Sequence, residues 1–325
     1  MIDTMAPQHI PGYTIKRIIA RGTTSVVALA SNDKTCEPVA LKIFLRKIIS
    51  DRGIIKYLES ELRLIFRFDH PSFPKYYDVI YTENHIILVM EFLSNGNLTE
   101  AVNNRICFSY KERLNILYKI IDGIDYLHQR GIAHRDIKPE NIVFDANNNP
   151  KIIDFGFSSE TAQNSDTFCG TRDYMAPEVI KLKSYDGLKA DIWSLAVTAH
   201  ILMTSQFPYE YTSEARFLNE ITSGTLQFRI NLPGVLGQLV QKCLSYQPLM
   251  RPSSRQLLHD IRSLMEGDFA LKTVTAEKHG LPKLNMNIGK SKEKSSTGRE
   301  NPIRFTTGRA PTCFRLRKFD SFKQV

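Results

Sequence analysis

The hydrophobic pattern of this chain changes its period along the sequence, and that change limits the folds the chain can adopt. Short apolar runs separated by turn-like clusters occupy residues 13–44 and recur at 76–93, which is typical of strands in an antiparallel sheet. Apolar residues at helical spacing occupy 54–66 and 112–131, and helical patterns with short loops continue from about 190 to 265. A small strand-rich part before a larger helix-rich part predicts an α+β fold.

Composition excludes several classes of protein. The chain has 325 residues, of which 42% are hydrophobic, and this is enough for a folded core. Its longest uncharged apolar runs are much shorter than a membrane span, and its first residues lack the basic and apolar regions of a secretory signal. The five cysteines are scattered, odd in number and without CxxC pairs. We therefore expect no structural metal and an intracellular, cytoplasmic location, with the nucleus not excluded.

Positive charge is concentrated at the C-terminus. The formal net charge is +9, and residues 266–325 contain 13 Lys and Arg against 6 Asp and Glu, a net +7 that leaves +2 for the rest. We divide the chain into an N-terminal extension (1–12), one folded domain (13–265) and a basic tail (266–325) that is expected to be disordered. The tail could bind an acidic partner, nucleic acid or an anionic membrane surface, fold back as an inhibitory segment, or remain solvated.

One lysine lies in the middle of a strand pattern. In VALKIF, alternation places Ala40, Lys42 and Phe44 on one face, where a buried ammonium needs a partner. Glu61 borders the apolar stripe of the helix at 54–66, so the two charges could satisfy each other and leave Lys42 able to meet a phosphate. The alternative is a lysine that extends into solvent at a sheet edge.

An ordered set of motifs surrounds this lysine. The turn IARGTTSVV has small residues whose N–H groups could approach an anion, although alone it predicts only a hairpin turn. The others are VALK (39–42), HRDIKPEN (134–141), DFG (154–156), GTRDYMAPE (170–178) and DIWSLA (191–196). Together they resemble the eukaryotic protein kinases of the Ser/Thr type, and they are similar to the calcium/calmodulin-dependent and AMP-activated group.

The resemblance covers residues 13–265 and implies a bilobal fold. A small antiparallel-sheet N-lobe with one main helix would reach to about residue 90, a hinge would occupy 91–94, and a larger, mainly helical C-lobe would follow at 95–265. Asp136 would accept the proton of the substrate hydroxyl, and Lys138 would neutralise charge on the transferred phosphoryl group.

The implied nucleotide site lies between the lobes and takes ATP and Mg²⁺. Asn141, which is also implied to be catalytic, and Asp154 would hold Mg²⁺, while Lys42, held by Glu61, would bind the α- and β-phosphates. The other implied nucleotide-binding positions are Ala20, Gly22, Ser25, Val27, Ala40, Met90, Glu91 and Leu93. Ala20 and Ser25 replace glycines that are usual in the family, so positive φ is less accessible there and we expect weaker ATP binding or slower turnover.

Residues 154–178 correspond to the family's activation segment. Thr167 matches its usual phosphorylation site, with Ser165 as the alternative, and Arg135 matches the arginine that such a phosphate neutralises. Thr171 matches the threonine that contacts Asp136 and Lys138 in Ser/Thr kinases, and residues 134–141, which contain both, correspond to the family's catalytic loop. Phosphorylation of Thr167 is therefore expected to raise activity.

The resemblance also implies structural pairs and partners. Glu178 is expected to pair with Arg251, and Asp191 to support the backbone of the catalytic loop. Expected partners are protein substrates with Ser or Thr acceptors and an upstream activating kinase, and the protein is expected to be a monomer. The alternative function is that of a pseudokinase, a folded scaffold that binds partners without phosphotransfer. The retained catalytic and metal-binding residues argue against it.

Overall fold

The structure is a computed structural model that describes residues 7, 9–22, 24–53, 55–160, 167–181, 184–210, 213–277 and 314–315. The strands are Tyr13–Arg21 (β1), Ser25–Asn32 (β2), Pro38–Leu45 (β3), Tyr76–Tyr81 (β4), His85–Glu91 (β5), Ile142–Phe144 (β6), Pro150–Ile152 (β7), Thr167–Phe168 (β8) and Phe314–Arg315 (β9). The helices are Arg46–Asp51 (α1), Ile55–Ile65 (α2), Leu98–Asn103 (α3), Tyr110–His128 (α4), Pro177–Lys181 (α5), Gly187–Thr204 (α6), Glu214–Ser223 (α7), Gly234–Cys243 (α8) and Ser254–Glu277 (α9).

The first five strands form one antiparallel sheet in the order β1-β2-β3-β5-β4. Because alternate residues of a strand lie on opposite faces, Leu41 and Ile87 contribute to a buried core on one side of the sheet. Phe44 and Ile86 lie on the other side and pack with Leu58 of α2. The sheet and this helix form the small N-lobe that the sequence pattern predicts.

The C-lobe is built around α4 and α6. Ser109 and Glu112 form a capping box that starts α4, two residues before the predicted helix. Helix α6 is buried along nearly all of its length, and Trp193 within it is fully buried, because this helix runs through the centre of the lobe. The predicted α+β fold with a sheet-containing N-lobe and a larger helical C-lobe is confirmed. No described helix is long and apolar enough to cross a membrane.

The tail differs from its prediction where the structure describes it. Helix α9 continues to Glu277, past the expected boundary at residue 265. Leu257, Leu258 and Ile261 anchor its first turns in the core, and no proline interrupts the residues that follow, so the helix can propagate. Strand β9 also lies in the segment that was expected to lack regular structure.

Candidate active site

One face of the N-lobe sheet carries predicted nucleotide-binding residues. Val27 lies opposite Lys42 in the register of β2 and β3, and Ala40 lies opposite Met90 in that of β3 and β5. Opposite residues in an antiparallel pair share a face, as do residues two apart on one strand. Ser25, Val27, Ala40, Lys42 and Met90 therefore lie on the same face, away from the core that contains Leu41.

Lys42 links the sheet to α2 and to the segment after β7. Its Nζ donates hydrogen bonds to Glu61 Oε1 at 2.9 Å and to Asp154 Oδ1 at 3.2 Å. Strand β3 is an inner strand of the sheet, so the alternative of a lysine at a sheet edge is wrong. An ammonium group has three protons, and these two acceptors leave one for a bound anion.

The ionisation of these three groups follows from their contacts. Burial alone would lower the pKa of Lys42, but the carboxylates of Asp154 and Glu61 raise it above its ordinary value. The charge of Lys42 in turn lowers the pKa of Asp154. Burial raises the pKa of Glu61, which Lys42 only partly offsets. Lys42 therefore carries a fixed positive charge at this position.

Asp136 is the buried centre of the catalytic loop. Its Oδ1 accepts hydrogen bonds from the backbone N–H of Thr171 at 2.9 Å and from the Thr171 hydroxyl at 2.8 Å. Its Oδ2 accepts from Asn141 Nδ2 at 3.0 Å and lies 2.8 Å from Lys138 Nζ. Lys138 Nζ also donates to Thr171 Oγ1 at 2.6 Å. These contacts hold the carboxylate in one orientation, next to a cation.

Asp191 of α6 holds the backbone of the catalytic loop through hydrogen bonds. Its Oδ2 accepts a hydrogen bond from the His134 N–H at 2.7 Å, and its Oδ1 accepts from the Arg135 N–H at 2.8 Å, as expected. Arg135 has a φ of 65°, a left-handed conformation that costs free energy in a non-glycine residue. His128 Nε2 also contacts Asp191 Oδ2 at 3.0 Å. Sequence reasoning missed His128, whose only signal is its place in the last turn of a helix.

In the turn between β1 and β2, the backbone at Gly22 lies close to the backbone at Ser25. The Gly22 N–H donates to the Ser25 carbonyl at 2.8 Å, and a Cβ at residue 22 would lie 3.3 Å from that oxygen, so glycine fits best there. Ala20 lies in β1 opposite Val27, and Ser25 begins β2. Neither Ala20 nor Ser25 has a positive φ. Ala20 and Ser25 therefore cause no backbone strain in this conformation, and their expected effect on ATP binding and turnover stays a prediction.

The predicted hinge begins where β5 ends. Glu91 Oε2 accepts a hydrogen bond from the Lys75 N–H at 3.0 Å and lies 3.6 Å from Lys151 Nζ. These contacts connect the hinge to the residues before β4 and to β7. Since the Glu91 side chain already contacts Lys75 and Lys151, this residue would have to contact the base of a nucleotide through its backbone. Leu93 is half-buried two residues further on.

Asn141 and Asp154 fit the ligand chemistry of Mg²⁺. The Asn141 amide nitrogen donates to the Asp136 carbonyl and carboxylate at 2.8 and 3.0 Å, so its own carbonyl oxygen faces away from Asp136. Asp154 uses Oδ1 for Lys42, and its side chain is 37% exposed. Among the described residues, no group of three or more His, Cys, Asp and Glu side chains could hold a metal. Mg²⁺ at this pair would take its remaining ligands from nucleotide phosphates and water.

Comparison with known proteins decides the family. Residues 13–261 match the family model described as "Protein kinase domain". The chain belongs to the protein kinase family. The resemblance that the motifs predicted is thereby confirmed.

Several plant protein kinases are similar to this chain. CBL-interacting serine/threonine-protein kinase 3 of Arabidopsis thaliana is 31% identical over 262 residues, which cover 78% of this chain and 58% of that protein. CBL-interacting serine/threonine-protein kinase 8 of the same plant is 35% identical over 209 residues, covering 63% and 47%. CBL-interacting protein kinase 33 of Oryza sativa subsp. japonica is 29% identical over 265 residues, covering 80% and 58%. The matched region thus spans 47% to 58% of these relatives' length.

The activation segment is anchored on both sides of β8. Before it, the Phe157 carbonyl accepts a hydrogen bond from Arg135 Nε at 2.5 Å, and Arg135 also bonds to the Tyr185 side chain. After it, Thr171 binds the catalytic loop as described above. At Gly170, φ is 107° and a Cβ would lie 2.6 Å from the Arg135 carbonyl, so only glycine fits. Thr167 is described through its backbone alone, and Ser165 lies outside the described residues.

The end of the segment is fixed by the expected buried ion pair. Arg251 Nη1 and Nη2 donate to Glu178 Oε1 and Oε2 at 2.6 and 2.8 Å. Arg251 is 1% exposed and Glu178 is 4% exposed. A bidentate pair of this kind sets both position and orientation, so it holds α5 against the loop before α9.

Proposed function

We propose that this chain is an ATP-dependent protein serine/threonine kinase, which transfers the γ-phosphate of Mg-ATP to Ser and Thr hydroxyls of protein substrates. The observation that carries the proposal is the set of contacts at Asp136, where Lys138, Asn141 and Thr171 all meet one buried carboxylate. The relatives whose names include serine/threonine-protein kinase support the same activity.

The nucleotide side of the reaction depends on the Lys42 cluster. Lys42 is held by Glu61 and Asp154 and has one free proton position, with which it binds phosphate oxygens. Asn141 and Asp154 would hold Mg²⁺, which when bound neutralises charge on the phosphates. The protein thus contributes mainly position and fixed charge.

The acceptor side depends on the catalytic loop. Asp136 orients the hydroxyl of a substrate Ser or Thr and accepts its proton. Lys138 lies 2.8 Å from that carboxylate and neutralises charge on the transferred group. Thr171 bridges the two side chains and so fixes their separation.

Phosphate transfer from radiolabelled Mg-ATP to a mixed Ser/Thr peptide library tests the proposal. We expect incorporation with the wild type and a loss of at least about 100-fold in Asp136→Asn, since a positioned base contributes about 10²–10⁴-fold. Equal urea midpoints of the two proteins would show that the variant is folded. Absence of transfer from the wild type, even when Thr167 is phosphorylated, would favour the pseudokinase scaffold instead.

Activation by an upstream kinase at Thr167 is a further part of the proposal. Thr167 lies between the contact of Phe157 with Arg135 and the contact of Thr171 with Asp136, so a phosphate there can order the segment that completes the site. Thr167→Ala should prevent activation by an added upstream kinase, whereas Ser165→Ala should leave it intact. Full activation of Thr167→Ala would remove this part of the proposal.

The proposed setting is that of an intracellular, cytoplasmic monomer, with the nucleus not excluded. The cysteines support it: none of Cys36, Cys107, Cys169 and Cys243, the four in the part of the chain that the structure describes, is in a disulfide. The names of the relatives connect them with CBL proteins. That interaction belongs to the relatives, of whose length 47% to 58% matches this chain.

A further inference from the structure

Two residues of the C-terminal tail pair with the activation segment as a β-strand. Strand β9 pairs with β8 in an antiparallel two-stranded sheet that is separate from the N-lobe sheet. Residues 278–313 connect β9 to the end of α9. Because loop-closure entropy grows only slowly with loop length, a connection of this length permits the contact at modest cost.

The register of the two strands brings a basic residue to the predicted phosphorylation site. Thr167 lies opposite Arg315, and Phe168 lies opposite Phe314. Directly opposed residues in antiparallel strands have Cα atoms roughly 4.5–5.5 Å apart, and opposite charges at such positions attract. A phosphate on Thr167 would add a charge of about −1.5 to −2 directly across from an arginine.

We propose that the tail completes a phosphate-binding site for phosphorylated Thr167, with Arg315 as its cation. The inference rests on the proposed phosphorylation of Thr167. Arg135, the family's usual partner for such a phosphate, already bonds to the Phe157 carbonyl and to Tyr185. Arg317 and Lys318 follow Arg315 closely in the sequence.

Because the pairing of β8 with β9 is short, a phosphate on Thr167 can decide whether the tail is docked. An isolated two-stranded ladder is marginally stable in water, and β8 and β9 have two residues each. An added ionic pair between the strands therefore shifts the balance towards the docked tail. Docking in turn covers one edge of the strand that contains Thr167, so it slows any enzyme that must bind this residue in an extended conformation.

The test uses the full-length chain with Asp136→Asn, which removes phosphotransfer by the protein itself. Thr167 is incorporated either as threonine or as genetically encoded phosphothreonine. The measured quantities are the rate at which a broad-specificity phosphatase removes the phosphate and the amide hydrogen exchange of the peptide that contains 167–168. The variant is Arg315→Glu, and the matched control is Arg304→Glu, which makes the same charge change elsewhere in the tail.

In phosphorylated protein, Arg315→Glu should increase both rates by roughly fivefold, which corresponds to the upper range of an opposite-charge cross-strand pair. Arg304→Glu should change neither rate. Equal rates for the two variants would overturn the role of Arg315. Phe314→Pro should raise exchange at 167–168, and protection unchanged by this proline would overturn the strand pairing itself. Since no readout needs kinase activity, a failure of the proposed enzyme function would be seen separately, in the peptide-library assay.

Discussion

Removal of the buried charge of Glu178 is expected to destabilise the C-lobe strongly. Arg251 makes two short ionic hydrogen bonds to this carboxylate, and its other donors reach the carbonyls of Ser245 at 2.9 Å and Lys189 at 2.8 Å. Glu178→Gln keeps the shape of the side chain but leaves a guanidinium buried without its counter-charge. Separation of a buried ion pair in this way typically costs about 3–5 kcal/mol.

The two remaining carbonyl partners of Arg251 reduce that cost, so we expect about 3 kcal/mol for Glu178→Gln. This is a large share of the roughly 5–15 kcal/mol by which folded domains are stable. Glu210→Gln is the matched control, since Arg229 Nη2 lies 3.1 Å from Glu210 Oε2 but the two side chains are 68% and 54% exposed. An exposed pair contributes at most about 1 kcal/mol, so the control should stay close to the wild type.

Urea unfolding followed by tryptophan fluorescence measures this difference at the site itself. The chain has one tryptophan, Trp193, and the Arg251 guanidinium lies 5.1 Å from the centre of its ring. With a urea dependence of about 2–3 kcal/mol per molar, a loss of about 3 kcal/mol lowers the midpoint by about 1–1.5 M. A midpoint for Glu178→Gln that coincides with that of Glu210→Gln would refute the reasoning, because burial would then add nothing to the pair.

Three further changes have defined outcomes. Glu61→Gln removes the negative charge that lies 2.9 Å from Lys42 Nζ. Because a hydrogen bond to a charged group contributes about 1.5–3 kcal/mol, the KM for ATP should rise by about tenfold. An unchanged KM in steady-state kinetics would contradict this. Burial lowers the pKa of His200, whose Nε2 accepts from the Asn231 N–H at 3.3 Å. The unfolded chain therefore takes up a proton first as the pH falls, so the free energy of unfolding should decrease below about pH 6.5 by up to about 1.4 kcal/mol per pH unit. Urea titrations at two pH values should show a smaller decrease for His200→Gln. Ala20→Gly should lower stability by about 0.5–1 kcal/mol without improving kcat/KM, because residue 20 has no positive φ; a higher kcat/KM would show that the family's glycine is needed there.

The elements and pairs that sequence reasoning predicted are those that local rules determine. Alternation defines β2 and β3, and an apolar stripe at helical spacing defines most of α4. The pairing of Lys42 with Glu61 could be predicted because each side chain, if buried alone, would be a costly unpaired charge, and each supplies the opposite charge that the other needs.

The contacts that sequence reasoning missed connect residues far apart in the chain. His128 and Asp191 are 63 residues apart in the sequence, and Lys42 and Asp154 are 112 residues apart. Contacts at such separations produce no periodic pattern in the sequence. Strand β9 has two residues, too few for alternation to be recognised in a basic tail without hydrophobic periodicity. The end of α9 was missed for a related reason, since helix propagation past the core needs no apolar stripe.

The anchors of the activation segment explain why its middle can act as a switch. Arg135 holds the segment at Phe157, Asp136 holds it at Thr171, and Arg251 holds it at Glu178, and these contacts involve buried or partly buried charged groups. Each is costly to break, so the two ends change little when conditions change. The pairing of β8 with β9 lies between these anchors and is two residues long, so it contributes far less free energy. A single phosphate at Thr167 is therefore large relative to the β8–β9 contact it would strengthen and small relative to the anchors, so its effect falls on the middle of the segment and not on its two ends.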